Sequence, residues 1–139
     1  MSFKVVVSQN ASVPKRATSD SAGYDLFANE DMKIESGDIA KIVLGIKISL
    51  PPGTCGQILP RSGFTTKERG LVITGTIDSD YTGELGVMMI NFGVKPLIIE
   101  KGMRIAQLVI ISIVTPDVTL VEKLEETSRK GGFGSTGMF

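Results

Sequence analysis

The stretch from Ile46 to Gly53 constrains the fold most tightly. Ile46-Lys47-Ile48-Ser49-Leu50 alternates apolar and polar residues with a period of two, and Pro51-Pro52-Gly53 stops it. That pattern fits a strand with one buried and one wet face, because successive strand side chains point to opposite sides. Similar short runs recur at Phe3 to Val7, Gly56 to Leu59, Leu71 to Ile77, Leu85 to Asn91, Leu97 to Glu100 and Val118 to Val121. The longest apolar stretch, Ile105 to Val114, is interrupted by Gln107 and Ser112 and is rich in β-branched residues, so it reads as a buried strand. No window of a dozen residues carries a sustained helical stripe, although Thr65 to Arg69 has room for a single turn. With turn residues between the runs, the expected class is all-β, a sandwich or barrel.

At 139 residues the chain fits one compact domain. Fifteen basic and fifteen acidic side chains cancel, and no basic block of five or more occurs. Neither a nucleic acid nor an anionic membrane is then an expected partner, and any bound phosphate has to be held locally. The N-terminal MSFKVVVSQN lacks the apolar core of a signal peptide, and no stretch approaches the ~18 apolar residues of a membrane span. The expected location is cytoplasmic or nuclear. The single Cys55 has no internal disulfide partner, and with no His in the chain it has no imidazole to activate it as a nucleophile.

Three acids, an aromatic residue and three glycines are gathered in Gly75-Thr76-Ile77-Asp78-Ser79-Asp80-Tyr81-Thr82-Gly83-Glu84-Leu85-Gly86, between two strand-like runs. Read as a hairpin, this segment lets backbone approach a planar ligand closely. Strand N–H, C=O and N–H groups in sequence complement the acceptor, donor, acceptor edge of uracil, whereas cytosine would leave buried groups unpaired at ~1–3 kcal/mol each. An ordinary polar hairpin is the alternative. A base that activates water has to be a carboxylate here, and Asp78 and Asp80 are the candidates; in an extended strand they share a face.

Pro60-Arg61-Ser62-Gly63 has the composition of an anion-binding nest with a Ser hydroxyl and a guanidinium added for phosphate, or of a plain strand-to-turn junction with a solvated Arg. Ala22-Gly23-Tyr24-Asp25-Leu26 sets an acid in an apolar turn, as a structural cap or a functional group. Arg104-Ile105-Ala106-Gln107-Leu108 places two polar residues at the head of the long apolar run, and Gln107 needs a partner if buried. Four glycines fall in the last nine residues, GGFGSTGMF, after a charged stretch from Glu122 to Lys130, and Phe133 stands among them. A segment so free in its backbone is expected to be mobile until something holds it.

In this order, AGYDL at 22–26, PRSG at 60–63, GTIDSDYTGE at 75–84, RIAQL at 104–108 and GGFGSTG at 131–137 resemble the five motifs of the trimeric dUTPase family, and the match spans nearly the whole chain. The resemblance implies a distorted jelly-roll core over residues 1–126, a C-terminal lid over 127–139, and a homotrimer whose three active sites are shared between subunits. It implies dUTP hydrolysis to dUMP and pyrophosphate, which limits uracil in DNA and supplies dUMP for dTMP synthesis. By the same resemblance Mg²⁺ rides on the triphosphate, with Asp25 organising its water shell. Asp78 is the implied general base for attack at the α-phosphorus, and Gln107 holds the catalytic water. Tyr81 packs against the deoxyribose, and Gly75, Thr76, Ile77 and Gly86 read uracil through their backbone. Arg61, Ser62 and Gly63 hold phosphates, Phe133 covers the uracil ring, and Arg129, Gly134, Ser135 and Thr136 close on the β- and γ-phosphates.

Two positions depart from the family pattern. Val72 stands where many bacterial members carry a uracil-facing Asn, so base reading falls to the backbone. Arg129 lies four residues before Phe133 where the family places its arginine five before, and Lys130 is positioned to share the role, although it lacks a planar fork. Two other readings compete: a dCTP deaminase of related fold, with or without hydrolase activity, and a catalytically idle nucleotide-binding trimer that regulates a partner.

Overall fold

The alternation at 46–50 is the second half of a longer strand in the computed structural model, which describes residues 1–139. Ten strands and one helix follow in order: β1 (Lys4–Val7), β2 (Tyr24–Phe27), β3 (Met32–Ile34), β4 (Ile39–Ser49), β5 (Thr54–Leu59), α1 (Ser62–Glu68), β6 (Gly70–Val72), β7 (Gly75–Ile77), β8 (Glu84–Asn91), β9 (Leu97–Ile99) and β10 (Arg104–Ser112). In β4 the side chains of Ile42, Leu44, Ile46 and Ile48 are buried, while Lys41, Val43 and Lys47 are exposed. The period of two therefore persists through a register shift between Val43 and Lys47. Gly45 makes that shift possible. Its φ is +68°, and a Cβ there would meet Asn29 Nδ2 at 2.5 Å and Ser8 Oγ at 2.7 Å.

Every ladder is antiparallel. One sheet runs β1-β4-β8-β6, a second runs β2-β10-β5-β7, and β3 and β9 form a separate ribbon. From β4 to β8 the chain crosses from one sheet to the other at each step, so both sheets are wound together around one core of 19 buried apolar residues. This is the distorted jelly roll expected from the sequence, and the all-β class holds. The core draws Ile42, Leu44, Val87 and Met89 from the first sheet and Leu26, Ile58, Ile105 and Leu108 from the second.

One polar residue ties the ends of these elements together. Asn91, at 0% exposure, donates from Nδ2 to Ile34 O at 2.9 Å and to Lys95 O at 2.8 Å, and its Oδ1 accepts from Gly93 N at 2.9 Å. All three side-chain bonds are made, which is the condition for burying an amide.

Five expectations need correction. The run from Leu71 to Ile77 is two strands, because β6 pairs with β8 while β7 pairs with β5 in the other sheet. Gly75 to Gly86 is accordingly no hairpin: β7 and β8 belong to different sheets, and the segment between them is the crossover. Asp78 and Asp80 do not sit in extended backbone, since Tyr81 N donates to Asp78 O at 3.1 Å and closes a turn around them. Val118 to Val121 forms no strand; the last ladder residue is Ser112, and Val114 to Phe139 are all exposed, with hydrogen bonds only among themselves. A short apolar run marks a strand only where a sheet edge or a core face is there to receive it. The helical turn begins earlier than Thr65, at Ser62, and buries Phe64.

Replacing Asn91 with Leu keeps the volume but leaves Ile34 O, Lys95 O and Gly93 N without their partner. The variant should lose about 3 kcal/mol of stability, seen as a lower urea midpoint at fixed protein concentration.

Candidate functional site

Gln107 occupies the middle of β10, opposite Asp25 of β2 on one side and Leu59 of β5 on the other. Antiparallel partners share a face, so this register brings three of the sequence motifs to one place. The result is a cleft of about 320 Å³ that includes Ser21, Gly23, Asp25, Arg61, Ser62, Gly63 and Gln107. Gln107 Nε2 donates to Pro60 O at 2.9 Å. A Cβ on Gly23 would lie 2.4 Å from Gln107 Oε1, so glycine is what lets the AGYDL turn pass over that amide.

Asp25 is 8% exposed and is not left alone with its charge. Its Oδ1 lies 3.2 Å from Arg61 Nε and its Oδ2 3.6 Å from Arg104 Nε. Arg61 Nη1 also donates to Arg104 O at 3.2 Å. Two guanidinium groups against one carboxylate leave an excess positive charge, which suits an anionic ligand. The first-turn N–H groups of Ser62 and Gly63 have no acceptor within α1 and are exposed beside Arg61. Of the two roles open to Asp25, its contacts fit the positioning of the arginines. Arg104 was noted in the sequence only as a polar residue at the head of the RIAQL motif, without a role; its pairing with Asp25 supplies one.

A second cleft, of about 270 Å³, is lined by Lys41, Thr76, Ile77, Asp78, Tyr81, Glu84, Leu85 and Gly86. Asp78 is exposed and takes part in none of the chain's ion pairs. Tyr81 donates from its hydroxyl to Glu84 O at 2.8 Å, and its ring lies over Gly83, where a Cβ would meet the hydroxyl at 2.6 Å. Asp80 instead lines a different cavity with Lys4, Ser49 and Pro51, which separates it from Asp78. Gly75 lies outside the lining of this cleft, paired with Ile58 in the ladder. Val72 is 3% exposed in the core, so its side chain has no access to a ligand. Lys41 belongs to the lining, yet nothing in the sequence marked it; the alternation of β4 shows only that it faces outward.

The two clefts share no residue. Gln107 lies level with Leu59, whereas Asp78 follows Ile77 of β7, two strands from β10 and level with Gly56 of β5. Two inter-strand spacings and three residues of rise put the Cα atoms of Gln107 and Ile77 about 14 Å apart. Arg129, Phe133, Gly134, Ser135 and Thr136 are exposed and line neither cleft; Arg129 Nε donates to Gly131 O at 3.1 Å. No cluster of three or more His, Cys, Asp or Glu side chains is placed to hold a metal, and Asp25 is the one acid in the first cleft.

Comparison with known proteins gives one consistent result. The sequence model of the dUTPase family matches residues 9–137. Deoxyuridine 5'-triphosphate nucleotidohydrolases of Clostridium tetani and of Paramecium bursaria Chlorella virus 1 are 47% and 46% identical, over 95% and 94% of this chain and 93% of each relative. Among solved structures, a mutant dUTPase of Staphylococcus bacteriophage 80alpha with dUpNHpp superposes with a TM-score of 0.93 at 32% identity, covering 99% of both chains. A mutant dUTPase from phage phi11 of S. aureus, in which the coordination of a structural Mg(II) ion is described, gives 0.86 at 29% identity, over 91% of this chain and 100% of that one.

The Gly23–Gln107 contact is directly testable. Gly23→Ala should push Gln107 off Pro60 O, shifting the Gln107 side-chain amide resonances while those of Asn91 stay in place.

Proposed function

The chain belongs to the dUTPase family and hydrolyses dUTP, and we propose that it does so with water activated by Asp78 in sites that three copies of the chain build together. The observation that carries the shared site is the separation of the clefts. Asp78, Tyr81 and Gly86 line one and Arg61, Ser62, Gly63 and Gln107 line the other, with no residue in common and with the Cα atoms of Gln107 and Ile77 about 14 Å apart by strand spacing. Juxtaposing the second cleft of one copy with the first cleft of another would bring a base, a water-holding amide and a cationic anion site around one substrate.

In this reading the backbone around Thr76, Ile77 and Gly86 takes the uracil edge, and Tyr81 lies against the deoxyribose, where a 2'-hydroxyl would clash. Asp78 draws a proton from water as it attacks the α-phosphorus, and the bond to the bridging oxygen breaks to give dUMP and pyrophosphate. A carboxylate suits the task because, without an ion-pair partner, it is free to accept that proton. Gln107, fixed by Pro60 O, orients the water. Arg61 and the amides of Ser62 and Gly63 hold phosphate oxygens, and Asp25 keeps Arg61 aimed.

Mg²⁺ fits this arrangement as an ion carried by the triphosphate, since it retains much of its water and needs few protein carboxylates. Asp25 would reach it through water, and the ion would offset phosphate charge. The tail supplies the remaining contacts: Phe133 over the base, Arg129 and Lys130 near the outer phosphates, with Gly134, Ser135 and Thr136 closing the backbone. A closed cover of this kind excludes water and strengthens the electrostatic contacts beneath it. The body to which it is attached ends its packing at Ile113, whose N–H donates to Gly53 O at 3.0 Å.

Product analysis with dUTP, dCTP, dTTP and UTP under Mg²⁺ should give dUMP and pyrophosphate from dUTP alone; ammonia from dCTP would restore the deaminase reading. Asp78→Asn should keep nucleotide affinity and lower kcat by about 10²–10⁴-fold, and near-normal turnover would remove Asp78 from the role of base. Truncation after Lys130 should leave melting behaviour intact and reduce turnover, as read by calorimetry and pyrophosphate release on the same sample.

A further inference from the structure

Lys41 stands on apolar ground. On the outward face of β4 and β8 its neighbours are Ile39, Val43 and Met88, all exposed. Lys41 is opposite Met88 and Val43 is opposite Gly86, which makes Lys41 and Gly86 diagonal neighbours on one face. The lysine stem crosses the glycine: a Cβ at position 86 would meet Lys41 Cε at 2.6 Å and Cγ at 3.1 Å. Such a stem covers apolar surface, and Lys41 is one of the residues that line the cleft holding Asp78 and Tyr81.

The other polar groups of the cleft leave a task open. Glu84 has Lys47 Nζ at 3.7 Å, the Tyr81 hydroxyl already donates to Glu84 O, and Val72 is buried in the core. Lys41 takes part in no ion pair. It is the cation of the lining, and it lies against the backbone that would face the base.

We infer that Lys41 is a specificity-determining residue of this cleft, donating an N–H to the 4-carbonyl oxygen of uracil, the one that cytosine replaces with an amino group. The inference rests on the dUTP reading of the same site. An ammonium has three donors and no acceptor. It matches a carbonyl oxygen, and opposite the exocyclic amino group of cytosine it sets donor against donor. Selection for uracil then comes from a side chain as well as from backbone.

The test compares the full-length protein with Lys41→Met and Lys41→Arg. Methionine keeps an apolar stem over Gly86 and removes the donor, whereas arginine restores a cation. Steady-state kinetics with dUTP and calorimetric binding of dUMP and dCMP supply the readouts. Lys41→Met should raise KM and weaken dUMP by about tenfold, with kcat little changed and the preference for dUMP over dCMP narrowed; Lys41→Arg should recover most of both. Unchanged dUMP affinity in Lys41→Met, or equal weakening of dUMP and dCMP, overturns the inference. A parent protein that fails to hydrolyse dUTP would instead sink the reading beneath it.

Discussion

Asp25 lies where β2, β10 and the junction of β5 with α1 meet, nearly out of water, with a guanidinium facing each of its oxygens. A carboxylate so buried is costly unless it is paired, and removal of one partner from such a pair costs more than the pair contributes. The arrangement therefore fixes geometry more than it adds stability. Arg61 is held to Arg104 O as well as to Asp25, Gln107 is held to Pro60 O, and Gly23 leaves room for that amide. Three motifs from distant parts of the sequence are locked into one surface because β10 lies between β2 and β5.

The same strand order keeps the two clefts of one chain apart. β5 stands between β10 and β7, so the group that holds Gln107 and the group that holds Asp78 grow from opposite edges of a shared strand. That leaves a gap of about 14 Å between the Cα atoms of Gln107 and Ile77. What closes it in the reading offered above is association, and this accounts for a protein of 139 residues that divides its motifs between two separate clefts.

Much of this was legible in the sequence, for local reasons. The alternation in Ile46 to Leu50 was read correctly because burial of one face is the dominant force on a strand, and Gln107 was marked because an amide amid β-branched residues has to be satisfied. What local patterns do not encode is pairing. Gly75 to Gly86 has every residue of a hairpin, yet its flanking strands join different sheets. Val118 to Val121 has the composition of a strand with no partner in this chain. The two aspartates of 78–80 were assigned one face from an extended backbone that the turn at Tyr81 removes. The roles of Arg104 and Lys41 escaped because their meaning lies across a ladder, in Asp25 and Gly86 respectively.

The separation of Asp78 from Gln107 also has a genetic reading. If every working centre takes one group from each of two copies, a lesion at Asp78 and a lesion at Gln107 damage different halves of it. Two alleles that are each inactive alone would then complement one another in mixed assemblies, and a single defective allele would spoil centres contributed by its healthy neighbours. For a protein of this design, the unit on which selection acts is the assembly and not the chain.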